Sequence, residues 1–335
     1  MGRASWNFGP GGLMELVRPS PESVPFVVRA MKTVATAAGP LHPGARRLLE
    51  AAQDFLVGQR LDLEGLAPIT PEELARHVSG DAVRAQIVHG MITLSLVDGI
   101  PPRAQTDVMH AFARALGVDD GGVETIEKLV DGHLATFRWC FLRRAHLRDF
   151  AASQLRQEGI LATIRSVATT FGITEDPKLA ARYAGLADLP SGTLGRELHL
   201  YYLRNQFPWP GQRRAAPEAI VAHDVTHLLS GYGTDPIGET LVAAFTAGTQ
   251  RDASRFFTPL IGLVMFSTGV HVIPNPNVPA MHVDAFSQPD VAKRWFRAIE
   301  RGSRVSKDLT RDVDFWSVAA VPLDELRRRW NVAPE

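Results

Sequence analysis

Residues 69–117 read ITPEELARHVSGDAVRAQIVHGMITLSLVDGIPPRAQTDVMHAFARALG, a run of helices with its own punctuation. Thr70 is placed as an N-cap, with Pro71 at the first helical position and Glu73 three residues after the cap, a capping-box pattern. Asp98-Gly99 stops a second helix and Pro101-Pro102 opens a third. In the third, Val108, Phe112 and Leu116 recur at helical spacing, and Gly117 closes it. Residues 121–157, GGVETIEKLVDGHLATFRWCFLRRAHLRDFAASQLRQ, continue in the same style. Clean strand alternation is almost absent and no internal repeat is visible. The expectation is an all-α chain.

A chain of 335 residues is long enough for about two domains at ~150 residues each. Residues 1–40 read as a loose arm plus one helix, and residues 41–172 as a helical block. Gly172, Pro177, Gly185, Pro190, Gly192 and Gly195 then punctuate FGITEDPKLAARYAGLADLPSGTLG. Residues 173–335 form the second block, a helical bundle. Cys140 is the single cysteine, so no intramolecular disulfide forms and a reducing, cytoplasmic setting is expected. Its helical surroundings suggest a buried thiol. The 36 basic residues balance the 36 acidic ones, which argues against nucleic acid as a partner.

The first 22 residues lack an apolar signal region, so no signal peptide is expected. No stretch reaches the ~18 apolar residues of a membrane span. The nearest, FFTPLIGLVMFSTGVHVIP (256–274), is interrupted by Pro259, Ser267 and Thr268. It reads as a buried core helix, or as an apolar wall for a greasy ligand or a membrane surface.

The chemistry concentrates in residues 217–239. PEAIVAHDVTHLLSG reads as one helix, with Pro217 in its first turn and Gly231 ending it. His223 and His227, four apart, share a face, the spacing by which two imidazoles on one helix reach one cation. Asp224 points about 100° away from His223, where it can hold the ion, orient a ligand or handle a proton. The turn GYGTDP reverses the chain, Thr234 or Asp235 caps the next helix, and Pro236 starts it. Glu239 in that first turn then returns beside His227. A His/Asp/His/Glu set suits Zn²⁺, or Mn²⁺, Fe²⁺ or Co²⁺. The alternative is ordinary: a capping histidine, a solvated aspartate, and a glutamate favoured by the helix dipole.

His223-Asp224-x-x-His227, eleven residues and then Glu239 resemble the signature of the ubiquinone (coenzyme Q) biosynthesis protein four family. LPSGTLGRELHLYYL (189–203) resembles the family's segment upstream of that motif, and PLDELRRRWNV (322–332) its C-terminal end. The likeness covers about residues 173–335. It implies an all-helical, divalent-metal protein with His223, Asp224, His227 and Glu239 at the metal. It also implies a prenylated aromatic or quinone small molecule, oxidative removal of a ring carboxyl group, other biosynthetic proteins as partners, and a peripheral place at a membrane. Further expectations are a homo-oligomer and a metal-dependent decarboxylase, lyase or oxidoreductase. In the first block, LSLVDGIPPRAQTDVMHAFARALGV is similar to the TerB-like (tellurite-resistance) helical domain, although a generic bundle with an Asp-Gly turn gives the same pattern.

Two rivals stand beside this reading. A metal-dependent hydrolase would use Asp224 where zincins carry a catalytic Glu, one carbon longer. A non-catalytic lipid carrier or scaffold would keep the metal structural. Other residues rank lower. IPNPNVPAMHVDAFSQPD (273–290) reads as a surface loop or as a lid bringing His282 or Asp284 to the site. His199 and His271 read as structural, and His89, His110, His133 and His146 have no carboxylates at matching spacing. Arg143, Arg144 and Arg148 form a basic strip, either a solvated face or one meeting anionic lipid.

Overall fold

The computed structural model describes residues 18–119, 121–145, 169, 173–251, 253–272 and 281–335. The N-terminal arm up to residue 17, His146, Arg148, Gly172 and loop residues 273–280 lie outside them. The described residues are all-α and hold no strand. The helices of the first half are α1 Val24–Ala35, α2 Pro43–Ala52, α3 Pro71–His77, α4 Asp81–Leu96, α5 Arg103–Leu116, α6 Gly121–Val130 and α7 Leu134–Arg144. Those of the second half are α8 Pro177–Ala184, α9 Leu194–Asn205, α10 Val221–Ser230, α11 Pro236–Thr249, α12 Thr258–Ser267, α13 Val291–Ser303, α14 Phe315–Val318 and α15 Leu323–Arg329.

Local chemistry explains most ends. Thr70 Oγ1 accepts from Glu73 N at 3.2 Å, the first half of the capping box. The reciprocal half is not made, because Glu73 Oε1 takes a bond from Arg29 at 2.8 Å. Gly117 and Gly231 take the left-handed conformation, at φ 66° and 85°, that ends α5 and α10. Two expected boundaries move. A 3₁₀ turn, Glu218–Ile220, follows Pro217, so α10 starts at Val221. Pro259 does not interrupt its helix; it sits in the first turn of α12, where a missing N–H costs nothing.

The centre of the second half is α11. From Thr240 to Thr249 every residue is buried, and a helix apolar all round belongs inside a larger body. It packs between α13 and α12 and meets α10. Small residues set these crossings. A Cβ on Gly302 would lie 2.0 Å from Phe245 O, one on Gly248 2.3 Å from Ile299 O, and one on Gly262 2.9 Å from Thr240 Cα. No side chain fits between these backbones. Helices of the first half join the same core: α2 packs on α13 and on the 3₁₀ turn Ala285–Ser287, and α4 packs on α12. Cys140 is half-buried on α7. Among the described residues no helix is long and apolar enough to cross a membrane.

Candidate metal centre

Helix α10 carries His223 and His227 on one face, and Gly231 ends it. Asp235 Oδ1 then accepts from Ile237 N and Gly238 N at 3.0 and 3.2 Å and starts α11 with Pro236 in the first turn. The reversal is tight. A Cβ on Gly238 would stand 2.2 Å from Gly233 O, so only glycine lets the turn press against the helix start. This contact brings Glu239 back to α10.

Three side chains meet there, the two histidines through Nε2 and Glu239 through both carboxylate oxygens. His223 Nε2 is 3.1 Å from His227 Nε2 and 3.1 Å from Glu239 Oε2. His227 Nε2 is 3.3 Å from Glu239 Oε1. Ligands ~2.0–2.1 Å from one ion, at tetrahedral or octahedral angles, stand about 2.8–3.4 Å apart. The three separations match that span, and the residues can hold a metal ion. His227 Nδ1 lies 3.0 Å from Tyr232 O. A carbonyl only accepts, so Nδ1 carries a proton there and Nε2 is the ring nitrogen left to meet the cluster.

Charge and burial agree with this geometry. Burial alone would raise the Glu239 pKa, but hydrogen bonds from His223 and His227 outweigh it and hold it at about 2. Burial works against protonating His223, yet the Glu239 carboxylate, by hydrogen bond and by charge, carries its pKa upward. The His227 side chain is 1% exposed, Glu239 24% and His223 40%, so the cluster opens to solvent on the His223 side.

Asp224 is not in that group of three. Its Oδ2 accepts from the Tyr202 hydroxyl at 2.6 Å, and burial raises its pKa against the pull of His223, Tyr202 and His227. Tyr202 comes from α9, which also sets Tyr201 against His227, ring centroids 6.0 Å apart. The two flanks of the motif pair with each other: Leu194 N donates to Val321 O at 2.9 Å and Leu323 N to Gly192 O at 2.8 Å. Arg301, 8% exposed, donates to Tyr232 Oη, Ser230 O and Ala333 O, and Arg327 donates to Leu228 O and Leu229 O. These last carbonyls of α10 need partners, and two arginines supply them. Tyr202, Arg301 and Arg327 carried no local signal in the sequence, because their partners come from distant segments.

The lower-ranked residues sit elsewhere. His199 stacks on Trp209, ring centroids 4.8 Å apart. His271 O accepts from Arg138 Nε at 2.8 Å. His282 Nδ1 bonds Ser267 O, and Asp284 Oδ2 is 4.0 Å from His42 Nε2. His89 stacks on Phe256 and His110 lies 3.7 Å from Glu127. Arg144 bonds Thr125 Oγ1 at 3.1 Å and lies over the Phe257 ring.

No family model matches the chain, and no curated protein matches it. Among solved structures it is similar to a crystal structure from Nostoc punctiforme named as a candidate ubiquinone biosynthesis protein. The identity is 19%, over 64% of this chain and 97% of that one, with a TM-score of 0.35, too low to establish a common fold.

Proposed function

We propose that this chain is a metal-dependent protein of quinone biosynthesis that acts on or presents a prenylated aromatic ring. The reaction is removal of the ring carboxyl group, oxidative when an external oxidant takes part. The observation that carries the reading is the convergence of His223, His227 and Glu239 donor atoms within 4.8 Å of one another. The motif's resemblance to the coenzyme Q protein family points it toward quinones, with a domain boundary near residue 172 and a TerB-like first block.

Zinc suits the two-nitrogen, one-carboxylate set best, with manganese, iron or cobalt as substitutes. When bound, such a cation would polarise a carboxylate or phenol oxygen and stabilise the negative charge left on the ring as carbon dioxide departs and a proton takes its place. The Tyr232 carbonyl keeps His227 in the tautomer that binds a cation. The exposed His223 edge leaves room for a small molecule beside the three protein donors. Asp224, with its raised pKa and its bond from Tyr202, is a group that can hold a proton beside the cluster. The hydrolase reading has less support, because Asp224 is one carbon shorter than the Glu that zincins place between the two histidines.

The test is incubation of the metal-loaded chain with a prenylated aromatic carboxylic acid, with carbon dioxide and ring product followed by mass spectrometry. Conversion that is lost in His223→Ala supports the enzyme. Co-purified polyprenyl lipid without turnover supports the carrier instead. Release of phosphate or cleaved peptide supports the hydrolase. Absence of both turnover and lipid contradicts the proposal.

A further inference from the structure

A second feature lies at the seam between the two halves, built largely by residues 27–94, which the family resemblance does not cover. Here α1, α2 and α4 face α13 and the start of α12 around a cavity of about 150 Å³. Val28, Met31, Leu49, Ile87, Phe296 and Ile299 are among its walls. His223, His227 and Glu239 are not. The pocket opens partly to solvent, and its largely apolar walls hold water poorly enough for an apolar group to displace it. Cavities of about 150 Å³ lined by Leu, Ile and Phe accept benzene.

The polar groups at the wall narrow the ligand class. His89 stacks on Phe256, ring centroids 4.3 Å apart and 15° between planes, and its Nδ1 has no hydrogen-bond partner. Burial, with the charges of Arg144 and Arg255, pushes its pKa down to about 4, so the imidazole is neutral. Trp295 packs edge-on against Phe296 with its indole N–H unpartnered. The Arg255 guanidinium, also at the wall, lies 5.2 Å from the Phe256 ring. The remaining wall groups are mostly aliphatic or aromatic, with Gln53, Gln86 and Thr93 among them, a surface that suits a flat apolar ring better than a hydrated ion.

We propose that the seam cavity is a binding site for an uncharged aromatic group of about benzene size, separate from the metal centre. It goes beyond the function proposed above and does not depend on a bound metal. The probe is benzene titrated into the full chain, followed by saturation-transfer NMR and by thermal unfolding, with benzoate as the charged comparison. Wild type is expected to bind benzene saturably and to gain melting temperature as sites fill. Ala52→Phe, which places a ring in the cavity, should weaken binding at least tenfold; Ala52→Leu serves if that variant does not fold. His223→Ala with His227→Ala should bind benzene as wild type does, which separates this site from the metal. No saturable benzene binding, equal binding by the filled variant, or tighter binding of benzoate would each overturn the proposal.

Discussion

The Tyr202 hydroxyl donates to Asp224 Oδ2 at 2.6 Å, so the aspartate of the motif is held from α9 and not from the cluster beside it. Tyr202→Phe removes the donor from a buried carboxyl group. The expected cost is about 1–3 kcal/mol in chemical denaturation. Metal stoichiometry should stay at the wild-type value, as it should in Asp224→Asn. Loss of metal from either variant would make Asp224 a ligand.

Gly238→Ala tests the turn. Its Cβ would meet Gly233 O at 2.2 Å, and backbone on both sides leaves no flexible atom to yield. The turn must move, and Glu239 with it. Metal affinity should fall at least tenfold, measured by competition with a chelator. An affinity within twofold of wild type would show that the close approach does not position Glu239.

Most of this helix-turn-helix could be read from residues 217–239, because each step is local. Four-residue spacing puts His223 and His227 on one face, Asp235 caps α11, and Gly231 takes a left-handed φ of 85°. The same held for Thr70 and Gly117. What escaped was non-local. Tyr202 reaches Asp224 across 22 residues, and Arg301 reaches Ser230 O across 71. The seam cavity depends on α2 and α4 facing α13, and helical periodicity does not specify which helices meet. Pro259 reads as an interruption because a proline inside a helix and one in its first turn look alike until the start is known.

Arg301→Lys should be far from conservative. The guanidinium forks to Tyr232 Oη, Ser230 O and Ala333 O, and an ammonium cannot reproduce that geometry. Bonds to a buried charge are worth about 1.5–3 kcal/mol each, so a loss of at least ~2 kcal/mol is expected in urea unfolding. Metal affinity should fall as well, because Tyr232 O orients His227. A change under ~0.5 kcal/mol would contradict the clamp.

His89 gives a pH dependence with a definite sign. Burial, with the charges of Arg144 and Arg255, pushes its folded pKa down to about 4 from the ordinary histidine value of 6.5. The unfolded chain therefore takes up the proton first. The stability tied to the neutral ring is complete above pH 6.5 and is lost as pH falls toward 4. At 1.36 kcal/mol per unit, the loss is on the order of 3 kcal/mol. His89→Phe should flatten the melting-temperature profile over this window. A profile that keeps the wild-type slope would place the acid sensitivity elsewhere.

The central claim is that His223, His227 and Glu239 hold one divalent ion. It is tested most directly by elemental analysis of the full chain, loaded with Zn²⁺ and dialysed, beside His223→Ala with His227→Ala and beside Glu239→Gln. The expected result is about one metal per wild-type chain, near zero in the double variant, and a strong reduction in Glu239→Gln. Equal metal content in wild type and the double variant, or none in wild type, would contradict the account.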